Sequence, residues 1–228
     1  RHLDELICFA QFTVTEDDQR KTDQYHRRAQ FISDSSDIVD EVSYLKSIKL
    51  QPEAIAIDKG NISRAVQLCA KTNQYNLRTV RHGEIDITRF IDEDPRSGFL
   101  VRLKDLYGDH GVVGLVCLER LTGEIAFLDT LLMSCRVLGR HLEAWMLHEA
   151  IERARKSGYQ FVIGQYIPTE RNIVARECLI AHGFSSLSAP TLSVGEIEEI
   201  ERILNSQDLY ILPTASPEIP FLDIYEID

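Results

Sequence analysis

Cys135 closes the apolar run Leu131-Leu132-Met133-Ser134 and is followed by Arg136, Gly139 and Arg140, where the residue pattern predicts the start of a helix. A helix N-terminus presents unpaired N–H groups and partial positive charge. A phosphate or pyrophosphate therefore fits the turn Arg136, Val137, Leu138, Gly139, Arg140 and His141, with Gly139 allowing close backbone approach. The same field would lower the pKa of an adjacent thiol, which makes Cys135 a candidate nucleophile and acyl-thioester site. The competing reading is a small packed thiol flanked by solvated arginines.

Other polar residues have two readings each. Glu143 shares a helical face with Leu147, Ala150 and Ala154, so its carboxylate heads a buried stripe and either serves a nearby thiol or complements the helix dipole. Asn73, Gln74 and Asn76 put three amides in one loop, suited to a hydroxyl-rich substrate or to turn formation. His110, between Asp109 and Gly111, is either an acid/base group or an exposed hairpin histidine. Cys178 reads as core beside Val174 and Ala181. Arg136, Arg140, Arg153, Arg155 and Lys156 give one helix a basic bias, a steering face for an acidic partner or a solvated face with pairs such as Glu149 and Arg153.

The elements that must position these residues follow from periodicity. A polar, helical lead-in runs to about Ser47, with Thr15-Glu16-Asp17-Asp18 as a cap. Residues 53–58 alternate as a strand, and Ile62, Val66 and Cys69 share a helical face that ends near Thr72. Residues 73–76 read as a loop and 85–91 as a short helix. Strands at 99–103, 112–118 and 125–129, separated by Gly108–Gly111 and Leu121–Glu124, form an antiparallel meander. A helix over 139–157, a strand over 159–164, a helix over 172–182, an acidic helix over 196–204 and a last strand over 209–212 complete the order. The expected fold is a mixed, mostly antiparallel α/β sheet with helices on both faces, preceded by a helical extension.

At 228 residues and 44% apolar content the chain can bury a full core. A formal charge of -11 argues against nucleic acid and anionic membrane as partners, and no apolar run is long enough for a transmembrane helix. The five cysteines (Cys8, Cys69, Cys117, Cys135, Cys178) are scattered without the paired spacing of a metal site, which points to a reducing, cytoplasmic setting and no metal. The start at Arg1 and the apolar-acidic end suggest a piece of a longer polypeptide.

Arg136-x-x-Gly139 opening the main helix, with Asn172-x-x-Ala175 leading to Gly183-Phe184, resembles the GNAT acyltransferase fold. Lys71–Asn76, Tyr107–Gly111, Met133–Arg140 and Gly164–Thr169, with Thr15-Glu16-Asp17, Arg20 and Tyr25 ahead of them, resemble the C-terminal portion of the FkbH-like glyceryl transferase/phosphatase family over about residues 10–212. The resemblance implies residues 1–52 as a lead-in from an absent HAD-type phosphatase domain, 53–213 as a GNAT-like acyltransferase domain and 214–228 as a tail or linker. Its implied activity is glyceryl transfer to the phosphopantetheine of an acyl carrier protein in polyketide biosynthesis. Cys135 would carry the thioester, with Glu143 and His110 assisting. Asn73, Gln74, Asn76, Tyr166, Thr169 and Asn172 would hold substrate, and any Mg2+ would belong to the phosphatase domain. Coenzyme A is the alternative ligand of the 136–141 turn. Two departures count against it: His141 stands where the GNAT pattern has Gly or Ala, and Leu179 stands where GNAT N-acetyltransferases often place a tyrosine acid.

Overall fold

The computed structural model describes residues 30–34, 40–94, 97–187, 191–206, 208–215 and 219–226, and the chain divides into two units between Val39 and Asp40. In the first unit a helical stretch over 30–34 is described, and the expected cap at Thr15–Asp18 lies outside the described residues. The second unit begins with α1 (Glu41–Ser47), whose Asp40 cap accepts the Ser43 N–H at 3.2 Å. There follow β1 (Gln51–Ala56), α2 (Ile62–Lys71), β2 (Tyr75–Asn76) and α3 (Glu84–Glu93). The meander is β3 (Gly98–Asp105), β4 (Gly108–Thr122) and β5 (Ile125–Met133). After it come α4 (Leu142–Lys156), β6 (Phe161–Gln165), α5 (Cys178–Ala181), β7 (Ser185–Ser186), α6 (Val194–Leu204) and β8 (Leu209–Pro213).

The strands form one sheet in the order β1-β3-β4-β5-β6-β8-β7, with β2 paired to β5 off that path. β5 and β6 pair in parallel, and the other pairs are antiparallel. Periodicity explains the layers. Ile62, Ala65, Leu68 and Cys69 of α2 meet Ile87 and Phe90 of α3 over Leu100, Leu115, Cys117 and Leu132 of the sheet. α4 packs on β4 so tightly that a Cβ at Gly114 would meet Met146 Cε at 3.0 Å and Val101 Cβ at 3.1 Å. A side chain there would have to displace one of them.

Four elements differ from the sequence expectations. The 73–76 loop contains β2, two residues that pair with the end of β5. β5 extends four residues past Asp129, because all nine of its residues are buried and its polar pair Asp129-Thr130 finds partners inside. The 139–157 helix begins only at Leu142, since Gly139 (φ 83) and His141 (φ 51) are left-handed and cannot lie within a helix. Cys135 therefore sits in a separate 3-10 turn, Cys135–Val137, not at the N-terminus of α4. The 172–182 helix is broken into a 3-10 turn, Ile173–Ala175, and α5.

The segment expected as a tail docks on the same unit in its described part. Tyr225 forms a parallel bridge with Leu50, and the Glu226 N–H donates to the Leu50 carbonyl at 2.9 Å. Ile219, Ile224 and Tyr225 are buried. No helix among the described residues is long and apolar enough to cross a membrane.

Candidate functional site

The sheet forks at β5. Its parallel pairing with β6 covers only Ile125–Leu128 against Phe161–Gly164. At the next residue the other edge of β5 is irregular: Cys117 pairs with Thr130 while Leu118 pairs with Leu128, which leaves Asp129 as the extra residue of a β-bulge. Bulges re-aim side chains, and here the carboxylate enters the fork. Asp129 Oδ2 accepts from Thr130 Oγ1 at 2.7 Å and lies 2.7 Å from His82 Nε2, and its Oδ1 pairs with Arg78 Nη1. Arg78 spans the fork, donating from Nε to Gln165 Oε1 at 2.9 Å and stacking 4.7 Å above the Phe127 ring. The His82 ring packs edge-on against Phe90.

Burial pushes the Asp129 carboxyl upward, but the His82 hydrogen bond, the Arg78 charge and the Thr130 hydroxyl outweigh it and hold the group below the usual carboxylate value. Asp129 is thus ionised at neutral pH and fixes the imidazole by Nε2. Among the described residues no hydrogen bond reaches His82 Nδ1, which makes it the nitrogen that can take a proton from an acceptor. The side chains of His82 and Asp129 are each 9% exposed and that of Arg78 17%, so the fork is largely closed but not sealed.

The residues singled out from the sequence are distributed differently. Arg140 and His110 are buried in one ion triad, Arg140 Nε 2.7 Å from Asp105 Oδ2 and His110 Nε2 2.9 Å from Asp105 Oδ1. Neither is on the surface: Arg140 pairs its charge with Asp105 inside the fold, and His110 is not the exposed hairpin residue. Asp105, at the end of β3, draws both inward because a buried carboxylate needs paired charge. Arg136 turns toward Arg64, each donating to the Val112 carbonyl, at 3.3 and 2.5 Å, and burial with the Arg64 charge lowers its guanidinium pKa. Arg153 and Arg155 pair with Glu149 and Glu152, which neutralises much of the expected steering face.

The amides assemble in one place but turn inward. Asn172 is fully buried and donates to the carbonyls of Asn76 (2.9 Å) and Ile167 (3.0 Å), while its oxygen accepts from Thr169 and Tyr166. Asn76 bonds Thr72, Arg78 and Thr79, Asn73 accepts from Arg81, and Gln74 is exposed. Asn76 and Asn172 hold backbone, and the turn-forming reading describes them better than substrate contact.

Cys135 is exposed and lies past the end of β5, whose Met133 is already about 13 Å from Asp129 at about 3.3 Å per strand residue, so the two do not act on one atom. Cys69, Cys117 and Cys178 are buried, and burial raises all three thiols, Cys178 to about 12. Limited iodoacetamide labelling should therefore modify Cys135 first among these four, and Cys135→Ser should abolish that fast phase. Mass mapping that finds Cys69 or Cys178 labelled at the same rate would contradict this burial pattern.

His141 and Glu143 stand at the start of α4, within 3.7 Å of each other. His141 stacks on Phe221 at 4.0 Å and reaches Glu41 at 3.1 Å, and the Tyr225 hydroxyl donates to its carbonyl. Two carboxylates and the Phe221 ring thus stand around His141, at the turn expected to hold a pyrophosphate. The Glu143 hydrogen bond, with Glu41, raises the His141 pKa above 6.5 against the opposing effect of burial. A raised imidazole stabilises the fold fully below the unfolded value and loses that contribution as pH rises through the folded one. Thermal unfolding should accordingly show a decline in stability across that window, which His141→Gln should remove.

Arg78, His82, Asp129 and Gln165 carried no periodic or motif signal as a group, although a histidine and an arginine in the short link between α2 and α3 were a usable hint.

No protein-family model and no curated protein matches the chain. Solved structures do. The NatC complex bound to Gag peptide and CoA is similar at 11% identity over 73% of this chain and 99% of the matched one, with a TM-score of 0.51. Rv2747 from Mycobacterium tuberculosis in complex with CoA and NLQ matches at 15% identity over 71% and 98%, TM-score 0.49. A GNAT-family acetyltransferase from Staphylococcus aureus matches at 14% over 72% and 99%, TM-score 0.47. The forked, mostly antiparallel sheet with helices on both faces is the GNAT fold.

Proposed function

We propose that this chain is an acyl-transfer domain whose acceptor is a thiol, the phosphopantetheine of an acyl carrier protein, and whose acyl unit is glyceryl. The observation that carries acyl transfer is the His82–Asp129 pair at the bulge where the sheet forks, beside Arg78, which bridges both sides. The carrier protein and the glyceryl unit follow from the motif resemblance to the FkbH-like family. In this reading the acceptor S–H proton passes to His82 Nδ1, the thiolate sulfur bonds to the donor's acyl carbon, the carbonyl re-forms as the bond to the leaving group breaks, and the imidazolium returns its proton to that leaving group. Ionised Asp129 stabilises the imidazolium while it exists. Cys135 is the accessible thiol for an earlier covalent glyceryl thioester, a separate station on the surface.

A second reading, coenzyme A dependent amine acetylation, is favoured by the fold it shares with the CoA-bound NatC structure. Leu179, where a tyrosine acid would stand, is buried against Gly164. One experiment separates the two. The protein is incubated with a glyceryl thioester and phosphopantetheinylated carrier protein, and in parallel with acetyl-coenzyme A and an amine library, and intact masses are recorded. A glyceryl increment on the carrier supports the proposal, and a matching increment on the domain that disappears in Cys135→Ser supports the thioester station. Acetylated amines with an unmodified carrier would reject it.

A further inference from the structure

Two guanidiniums converge where the chain leaves β5 for Cys135. β4 carries a bulge there: Val101 pairs with Gly114 and Arg102 with Val112, so Val113 is the extra residue, and its carbonyl accepts the Ser134 N–H at 2.7 Å. That bond seats the Cys135–Val137 turn against β4. The neighbouring Val112 carbonyl accepts from Arg64 Nη2 of α2 at 2.5 Å and from Arg136 Nη2 of the turn at 3.3 Å. Sharing one acceptor holds the two terminal nitrogens within about 6 Å of each other, where like charges repel.

Arg64 differs from the other arginines that leave the surface. Arg78, Arg140 and Arg153 each face a carboxylate. Among the described residues Arg64 meets only neutral oxygens, the Val112 carbonyl and Gln67 Oε1, which leaves its Nε–H and one hydrogen on each terminal nitrogen available. In a chain of 36 acidic and 25 basic residues the pair is a local reversal of the overall field. The exposed Cys135 thiol lies within range of the Arg136 charge.

The pair is also separate from the turn at the start of α4. α2 packs over Leu100, Leu115 and Leu132, while α4 packs over the opposite face at Val101 and Gly114. Arg64 therefore draws the Arg136 guanidinium toward the α2 side of the sheet, away from the helix that His141 opens.

We propose that Arg64 is a specificity-determining residue for the chemistry of Cys135, forming with Arg136 an anion-selecting face that favours acyl donors bearing a negatively charged group over neutral ones. A donor whose anionic group meets the guanidinium hydrogens presents its electrophilic carbon to Sγ, and the arginines contribute attraction and orientation. This rests on the reading of Cys135 as a thioester station, but its test needs no glyceryl donor.

The probes are iodoacetate and iodoacetamide. Both deliver a CH2 carbon to the same thiolate and expel iodide, so the ratio of their rates at Cys135, read by mass mapping, cancels the thiolate fraction and reports the local charge. At low salt the iodoacetate-to-iodoacetamide ratio should fall about threefold to tenfold in Arg64→Gln and stay within about twofold of wild type in Arg64→Lys, and the wild-type ratio should itself decline as salt is raised. Arg136→Gln, a second variant, should lower the ratio likewise. Arg202→Gln, which removes one positive charge from the exposed face of α6, should leave it unchanged. Slow labelling of buried Cys69 and Cys178 shows that each variant keeps its fold. At matched ionic strength, inorganic phosphate should slow iodoacetate more than iodoacetamide in the wild type. A folded Arg64→Gln protein with the wild-type ratio would overturn the proposal, as would an equal fall in Arg202→Gln, which would assign the effect to net charge. A ratio that shifts as expected, with no glyceryl increment ever found on Cys135, would count against the thioester reading alone.

Discussion

Asp105→Ala should lower the unfolding free energy by about 3–5 kcal/mol, because it leaves the fully buried Arg140 guanidinium without its carboxylate partner. For a chain of this size that corresponds to a fall of about 10 °C or more in the thermal midpoint. Asp105 also accepts from His110 and the Tyr107 N–H, so one deletion strips three donors at the junction of β3, β4 and the 138–141 turn. Burial alone would raise the Asp105 carboxyl. The His110 hydrogen bond and the Arg140 charge and hydrogen bond overcome it and leave the group lowered from 3.8. A lowered carboxylate contributes its stability above the unfolded value and loses it as pH falls through the folded one. The wild type should therefore lose stability below about pH 4, and Asp105→Asn should flatten that acid limb. A double variant, Asp105→Leu with Arg140→Met, should recover much of the loss, since the cost lies in a buried charge whose carboxylate has been removed. Equal midpoints for wild type and Asp105→Ala in a denaturant titration would contradict the triad's structural role.

His82→Ala should slow acyl transfer about 10²–10⁴-fold while leaving the fold intact, the range for removal of a general base. The imidazole contributes one edge contact with Phe90 and one bond to Asp129, so the structural loss is small beside the catalytic one. Asp129→Asn is the sharper probe. It keeps the volume and a hydrogen bond but removes the charge that pairs with His82 and Arg78, so the rate should fall. His82→Gln, which restores a polar contact to Asp129 without a basic nitrogen, should not rescue. A variant that keeps the wild-type rate would remove the dyad from the mechanism.

Much of the fold was legible along the chain. α2 and α3 bury residues three and four apart, while the three meander strands, β6 and β8 are short apolar runs between turn residues, buried along most of their length. The turn glycines Gly108, Gly123 and Gly158 all have positive φ, which is why the punctuation between elements was readable.

The site was much less so. Asp129 in the middle of a strand reads as the strand's end, because a carboxylate inside a sheet is costly unless its partners are known. Those partners come from 51 and 47 positions earlier in the chain, Arg78 and His82, and the clasp of Asn172 on Asn76 spans 96. Arg140 next to a glycine reads as a phosphate contact, yet Asp105, 35 positions away, takes it into the core. By itself the sequence determined most of the elements, their order and the mixed α/β layering, since those depend on local periodicity and turn chemistry. Only the tertiary structure decided which polar groups meet, because an ion pair or an inserted strand forms when packing brings distant segments together and excludes the water that would otherwise satisfy them.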